Sequence, residues 1–496
     1  MKKGQYDTTE RSEGRLTNAV WLIELARVLR PHGYIGIAPE TGATCPASFQ
    51  VGFTEARDFD QSQQYDVIFF GHANKEAAAG FGLRAKAEVS HQLLYWQKRC
   101  WFRRVPAYHP LRPFLSFEQA ADLEPLIVTP DGRVVVGWRV LRGRRQLVCG
   151  FDPVAEFCLY THGDPDKAGQ DVRKNLWSPN GHEQPAYLYS GHLARGHESA
   201  PWVDQLGAWL STALSSLAGI PQLHPLPHRA RGLILLTGDD DQAQIEKYRY
   251  QQELLGGFPI TYFMMDCTNH TPETLAELSP ATEFGVHVDG LPAPEGYEGF
   301  CDEQLAGVRQ LLAGHPIRSI RNHGHLNRGY WGHLAAWHSS GLTLDLNVRG
   351  LDGTCPTGSF LPFSVSAHGL GWGEHYSLFS TFSDSMGPYQ GLSERQQAKL
   401  IKRFASQIEA AGPGILVFNL HPQNVQEVER VHRTLMSIAN RSGWRAVGVS
   451  GLLDWIEAYW SVRLVGTAGE MRVEGLDEAL GVCLVSQDGQ RKLCHG

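Results

Sequence analysis

Apolar residues recur at helical spacing from Asn18 to Leu29 (Val20, Leu22, Ile23, Leu25, Ala26, Leu29) and stop before Pro31, which predicts an amphipathic helix. Tyr34–Ala38 reads as a short strand. Tyr65–Phe70 (YDVIFF) is a continuous apolar run closed by Gly71, the pattern of a strand buried on both faces. Lys75–Gln97 is Ala-rich and predicts helix. Arg133–Arg139 and Gln146–Phe151 predict strands, and Trp202–Leu217 predicts a further amphipathic helix. Strands alternating with helices over residues 1–220 point to an open α/β layer structure.

Pro221–Arg231 (PQLHPLPHRAR) breaks this rhythm, because prolines remove backbone donors and favour extended chain; it reads as a linker. Short apolar runs then recur at Gly232–Thr237, Ile260–Met264, Phe284–Val288, Ile317–Arg321, Leu342–Asn347, Ile415–Leu420 and Arg445–Val449. Helix-compatible segments such as Asp302–Ala313 and Ser393–Ala411 separate them, and Leu452–Trp460 reads as the last helix. That alternation predicts a (β/α) barrel over residues 232–461. Residues 462–496 read as a small β appendage. The fold class expected is therefore α/β, an open α/β domain followed by a barrel and a β tail.

Composition narrows the function. The 496 residues carry 45 Lys and Arg against 52 Asp and Glu, a formal charge of -7, which argues against a nucleic-acid-binding protein. The basic run Arg133–Arg145 holds a single aromatic, Trp138, in a β-rich stretch and reads as a solvated hairpin. Nine scattered cysteines without a CxxC pair do not form a disulfide framework and suit a reducing compartment. The first residues show no apolar secretory core, and no window approaches the ~20 apolar residues that span a bilayer. A cytoplasmic protein without a transmembrane segment is expected.

Chemistry-bearing residues gather at the ends of the predicted strands of the second half. Leu233–Thr237 runs into Gly238-Asp239-Asp240-Asp241, the third strand leads to His287 and Asp289, the fourth to Arg321-Asn322-His323-Gly324-His325, and Ile415–Leu420 to His421-Pro422. Barrel enzymes build their sites from the loops at these ends. An aspartate after a strand is also a common helix N-cap, a reading open above all for Asp241. Carboxylate and imidazole donors together suit a borderline divalent ion such as Zn²⁺.

In this order the motifs resemble the polysaccharide deacetylase family (carbohydrate esterase family 4), over about residues 230–460. The resemblance implies a distorted (β/α) barrel and metal-dependent removal of an N-acetyl group from an amino sugar or polysaccharide-related substrate. Thr237-Gly238-Asp239-Asp240-Asp241 matches the family's Thr-Phe-Asp-Asp-Gly, which makes Asp239 the catalytic base and Asp240 a metal ligand. Glu283-Phe-Gly-Val-His287 supplies a metal-binding histidine, His287. Arg321 matches the arginine that pairs with the base, and Leu420-His421-Pro422 the element whose histidine is the general acid. Trp331 and Trp337 are expected to line the cleft. Three positions depart from the pattern: Leu291 stands where the second metal histidine falls, Gly238 replaces the Phe, and Asp241 the final Gly. Asp289, His323 and His325 are substitutes for the missing donor, with His323 preferred. A non-catalytic relative that binds a glycan or a polysaccharide-assembly partner is the alternative.

The N-terminal half more weakly resembles glutamine-amidotransferase-like domains, through Tyr65–Gly71 and Gly143–Val154. Cys45, in Gly42-Ala-Thr-Cys45-Pro46, is its only thiol in a Gly-flanked turn. Pro46 departs from the usual nucleophile elbow, so binding or positioning a partner is expected of this half.

Overall fold

A computed structural model describes residues 18–35, 50–56, 59–61, 64–71, 74–97, 105–141, 143–165, 194, 196–289, 297–325, 331, 333–348, 354–365, 373–384, 391–465 and 472–485. Cys45 and Leu291 fall outside them, as does most of the strand expected at Tyr34–Ala38. The N-terminal region runs α1 (Asn18–Leu29), β1 (Val51–Phe53), β2 (Val67–Phe69), α2 (Lys75–Gly80), β3 (Ala85–Glu88), β4 (Leu94–Trp96), β5 (Val105–Tyr108), β6 (Phe114–Phe117), β7 (Leu123–Val128), β8 (Val134–Leu141), β9 (Arg144–Cys149), α3 (Pro153–Thr161) and α4 (Trp202–Ala218). Its nine-stranded sheet follows the order β1-β2-β9-β8-β7-β4-β5, with β6 on β8 and β3 on β6. Only β1, β2 and β9 run parallel. The basic run is the β8–β9 hairpin, where Leu141 faces Arg144.

The helix expected over Lys75–Gln97 is a correction. Only Lys75–Gly80 is helical, capped by Asn74, and the rest forms β3 and β4. Beyond Gly80 the chain alternates Ala, Lys and Glu at strand spacing, and cross-strand partners decide such a segment against its helix-favouring composition.

The second half runs β10 (Gly232–Asp239), α5 (Ile245–Leu255), β11 (Ile260–Met264), α6 (Pro272–Ala276), β12 (Thr282–Val286), α7 (Tyr297–Leu311), β13 (Ser319–Ile320), α8 (Leu334–Ser339), β14 (Leu344–Asp345), β15 (Phe363–Ser364), β16 (Tyr376–Ser377), β17 (Phe382–Ser383), α9 (Glu394–Ala411), β18 (Gly414–Asn419), α10 (Glu429–Ala439), β19 (Trp444–Val447) and α11 (Val449–Ser461). Ten strands form one sheet ordered β15-β16-β14-β13-β12-β11-β10-β18-β17, with β19 also on β10. Every pairing is parallel except β15 with β16. Among the described residues the two ends do not pair, so the sheet is a curled half-barrel. β10 lies at its centre, holding β18 on one edge and sharing the other between β19 at its start and β11 at its end.

The period of two along β10 separates two cores. Leu233 and Leu235 pack into a core continuous with α1, α3, α4 and the N-terminal sheet, whereas Ile234 and Leu236 pack into the core beneath α5, α9 and α10. β18 repeats the division with Ile415 and Val417 against Leu416 and Phe418. All eight side chains are fully buried, each stabilising the fold by about 1.5–3 kcal/mol. The proline-rich stretch is packed rather than loose: Leu223 and Leu226 are buried, Tyr34 bridges to Gln222, and Leu223 bridges to Leu484. The tail contributes a two-stranded antiparallel sheet, β20 (Arg463–Val465) with β21 (Arg472–Glu474). No helix among the described residues is long and apolar enough to cross a membrane.

Candidate active site

β10 delivers the first group. Thr237 and Asp239 end the strand almost wholly buried, and a Cβ at Gly238 would stand 2.4 Å from the Leu420 carbonyl oxygen. Only glycine fits against that neighbouring backbone, which accounts for the missing Phe. From the end of β13, Arg321 donates through Nη1 to Asp239 Oδ1 (3.0 Å) and through Nη2 to Thr237 Oγ1 (2.6 Å). Its guanidinium lies 4.7 Å from the Phe263 ring centroid, a cation–π contact in a desolvated setting. Asn419, the last residue of β18, donates to Asp239 Oδ2 at 2.6 Å. Burial opposes charge on Asp239, but His287, Arg321 and His421 outweigh it and hold the carboxyl far below the usual carboxylate range.

The aspartate triplet then splits. Asp241 and Gln242 adopt the left-handed conformation, with φ of 40° and 59°. Asp240 is fully buried, accepts the Tyr248 hydroxyl at 2.5 Å, and lies 3.6 Å from His270 Nε2. Asp241 faces the mouth: its Oδ1 lies 3.3 Å from His287 Nε2, and its Oδ2 accepts from Gln423 at 3.0 Å. It caps no helix, since α5 begins after Gln244.

His287 follows β12. Its Nδ1 donates to the Arg321 carbonyl at 2.8 Å, which leaves Nε2 aimed at Asp241 without hydrogen-bond alignment. Burial disfavours its charge, yet Asp239 and Asp241 raise its pKa above the ordinary imidazole value. His421 follows β18 and presents Nε2 at 3.6 Å from both Asp239 Oδ2 and Asp241 Oδ2. Behind it, Asp384 accepts from the His421 backbone N–H (2.9 Å) and from ring Nδ1 (2.5 Å). Burial again opposes charge, but Asp384, Asp239 and Asp241 hold the His421 imidazole up at about 9.

Asp239, Arg321, His287 and His421 thus converge, and Asp240 does not join them. His323 stands one step out: its Nδ1 lies 3.0 Å from Asp289 Oδ1, and its ring centre is 5.5 Å from that of His287. His325 turns to the Asn347 carbonyl through Nδ1 at 3.2 Å. Trp331 and Trp337 are buried in the core, Trp331 donating to the His162 carbonyl at 2.8 Å, so neither lines the cleft as expected. The sequence alone does not single out Asp384, Asn419 or Gln423. A polar Asn closing the apolar strand ILVFN was the available signal for one of them; Asp384 follows a two-residue strand and offered none.

A metal ion is implied by the family resemblance, and the donor chemistry fits it in part. His287 Nε2 and Asp241 Oδ1 are buried and face each other at 3.3 Å, an imidazole and a carboxylate of the types that bind such an ion. Among the described residues no group of three or more His, Cys, Asp or Glu side chains is disposed to hold a metal ion as it stands.

No family model and no curated protein matches the chain. Among solved structures it is similar to one from Bordetella bronchiseptica, assigned as a polysaccharide deacetylase involved in O-antigen biosynthesis (20% identity, 43% of this chain and 82% of that one, TM-score 0.31). A second, from Mycobacterium smegmatis and assigned as a polysaccharide deacetylase, shows 16% identity over 49% of this chain and 95% of that one, with a TM-score of 0.35. Likeness this distant carries no chemistry; the side chains of the site carry it.

Proposed function

We propose that the half-barrel is a hydrolase that removes an N-acetyl or similar acyl group from an amino sugar or polysaccharide-related substrate, with a divalent ion, Zn²⁺ by donor type, as cofactor. The observation that carries this reading is the opposed pair at the mouth: a carboxylate held ionised, Asp239, against an imidazole held protonated, His421, 3.6 Å apart. Amide hydrolysis needs both, one group to take a proton from water and one to give a proton to the departing amine. Asp239 accepts the water proton, and Arg321 and Asn419 fix its two oxygens. His421 donates from Nε2, and Asp384 keeps the ring oriented and charged. His287 and a carboxylate of the triplet would hold the ion, with His323, whose Nδ1 contacts Asp289, as the third donor. A bound ion of this kind lowers the pKa of water towards ~7 and polarises the acyl carbonyl.

Acetate release from N-acetylated amino sugars, free, polymeric and nucleotide-linked, tests the reading. The Zn²⁺-loaded chain should release acetate, and Asp239→Asn, which keeps the shape and removes the charge, should lower turnover about 10²–10⁴-fold. An Asp239→Asn variant as active as wild type would remove Asp239 as the base. A loaded wild type inert on every substrate would favour a cleft that only binds a glycan.

A further inference from the structure

Two carboxylates of the triplet compete for the place beside the histidine donor, and the geometry separates them. Asp240 is wholly buried; one oxygen accepts the Tyr248 hydroxyl, and His270 stands edge-on to the Tyr248 ring at 4.8 Å. The remaining Asp240 oxygen is buried and makes no hydrogen bond. Asp241 is the part-exposed member, its side chain 24% accessible, and its Oδ1 pairs with Nε2 of fully buried His287 at 3.3 Å. The Nδ1 proton of His287 is committed to the Arg321 carbonyl, so Nε2 is the ring nitrogen presented to Asp241. Gln423 steadies the other Asp241 oxygen. Left-handed backbone at Asp241 and Gln242 makes the split possible, an uncommon conformation for non-glycine residues and one that concentrates at functional sites.

We infer that Asp241, the position where the resembling motif carries glycine, is the carboxylate donor to the divalent ion beside His287, and that Asp240 is a buried anchor of the loop through Tyr248. The inference rests on the metal-dependent reading above and changes which residue serves it. Asp240, removed from the site by the turn of the chain, fixes the loop from behind while Asp241 reaches the ion.

Competition titration of Zn²⁺ against a chromophoric chelator, with Co²⁺ absorption as a second probe, tests this on the full-length chain stripped of metal. Asp241→Asn and His287→Ala should each weaken Zn²⁺ by at least about tenfold and change the Co²⁺ visible spectrum, since loss of a direct ligand exceeds the 10–100-fold range of outer-shell changes at its lower end. Asp240→Asn should stay within a few-fold of wild type with an unchanged Co²⁺ spectrum. Loss of affinity in Asp240→Asn with wild-type affinity in Asp241→Asn overturns the inference. If buried Asp240→Asn fails to fold, part-exposed Asp241→Asn decides alone, and unchanged affinity there is equally fatal. A wild type that binds no Zn²⁺ removes both the inference and the metal in the proposed reaction. A wild type that binds through Asp241 yet releases no acetate leaves the inference standing and defeats the hydrolase reading.

Discussion

Asp384 decides what His421 can do. Without a carboxylate at Nδ1 a buried imidazole loses its proton readily, because burial penalises the charged form. With Asp384 in place, and Asp239 and Asp241 facing Nε2, the ring stays charged well above the ordinary histidine range. Asp384→Asn keeps the size and removes the charge, so the His421 pKa should fall. A general acid works only while protonated. The high-pH limb of the rate profile should therefore move to lower pH, with maximal rate reduced about 10²-fold or more. An unmoved limb would detach Asp384 from the acid. The site was legible in sequence where a polar residue interrupts an apolar strand end, as at Asp239, His287, Arg321 and His421. The split between Asp240 and Asp241 was not legible, because it is set by φ at two residues and by the Tyr248 hydroxyl eight positions on.

The same contrast holds for elements. Long apolar runs such as LILLT in β10 and ILVF in β18 announce buried parallel strands, and a Ser393–Gln396 capping box marks the start of α9. The two-residue strands β15, β16 and β17 carry Ser beside an aromatic and no period, so only their neighbours in the sheet define them. Gly238 shows what such neighbours demand. β10 and the segment after β18 approach so closely there that the Leu420 N–H donates to the Thr237 carbonyl at 2.7 Å, and the Leu420 carbonyl occupies the space of a Cβ. That obstacle is backbone and cannot rotate aside. Gly238→Ala should push Asp239 and His421 apart and lower stability by about 1–3 kcal/mol, the usual range for forced overpacking. Denaturant unfolding would show it, and an unchanged midpoint would mean the two strands separate freely.

At the scale of the whole molecule, the N-terminal region is joined to the half-barrel through polar groups as well as a shared core. Val203 N–H, at the start of α4, donates to the Gly358 carbonyl at 2.8 Å. Asp204 accepts from Ser359 Oγ at 2.6 Å and from the Phe360 N–H at 2.7 Å, which ties α4 to the segment leading into β15. His32 Nδ1 lies 3.9 Å from Asp204, but burial pushes its pKa down to about 3, so it is neutral and forms no ion pair. Asp204 is therefore a buried carboxyl without a counter-charge. Burial raises its pKa to about 7, with the bonds from Phe360 and Ser359 only partly opposing the rise. The sign follows from that direction. The folded chain holds the Asp204 proton more tightly than the unfolded chain, so this stability is complete below the unfolded carboxyl's pKa near 4 and is lost as pH rises through about 7. Thermal unfolding should move to lower temperature between pH 5 and pH 8.5. Asp204→Asn keeps both bonds, its carbonyl accepting from Phe360 and its amide donating to Ser359, and carries no charge to desolvate. The variant should match wild type near pH 5 and unfold several degrees higher at pH 8.5. Parallel wild-type and Asp204→Asn curves across that range would show that Asp204 stays ionised in the fold, and that the α4 attachment does not depend on its proton.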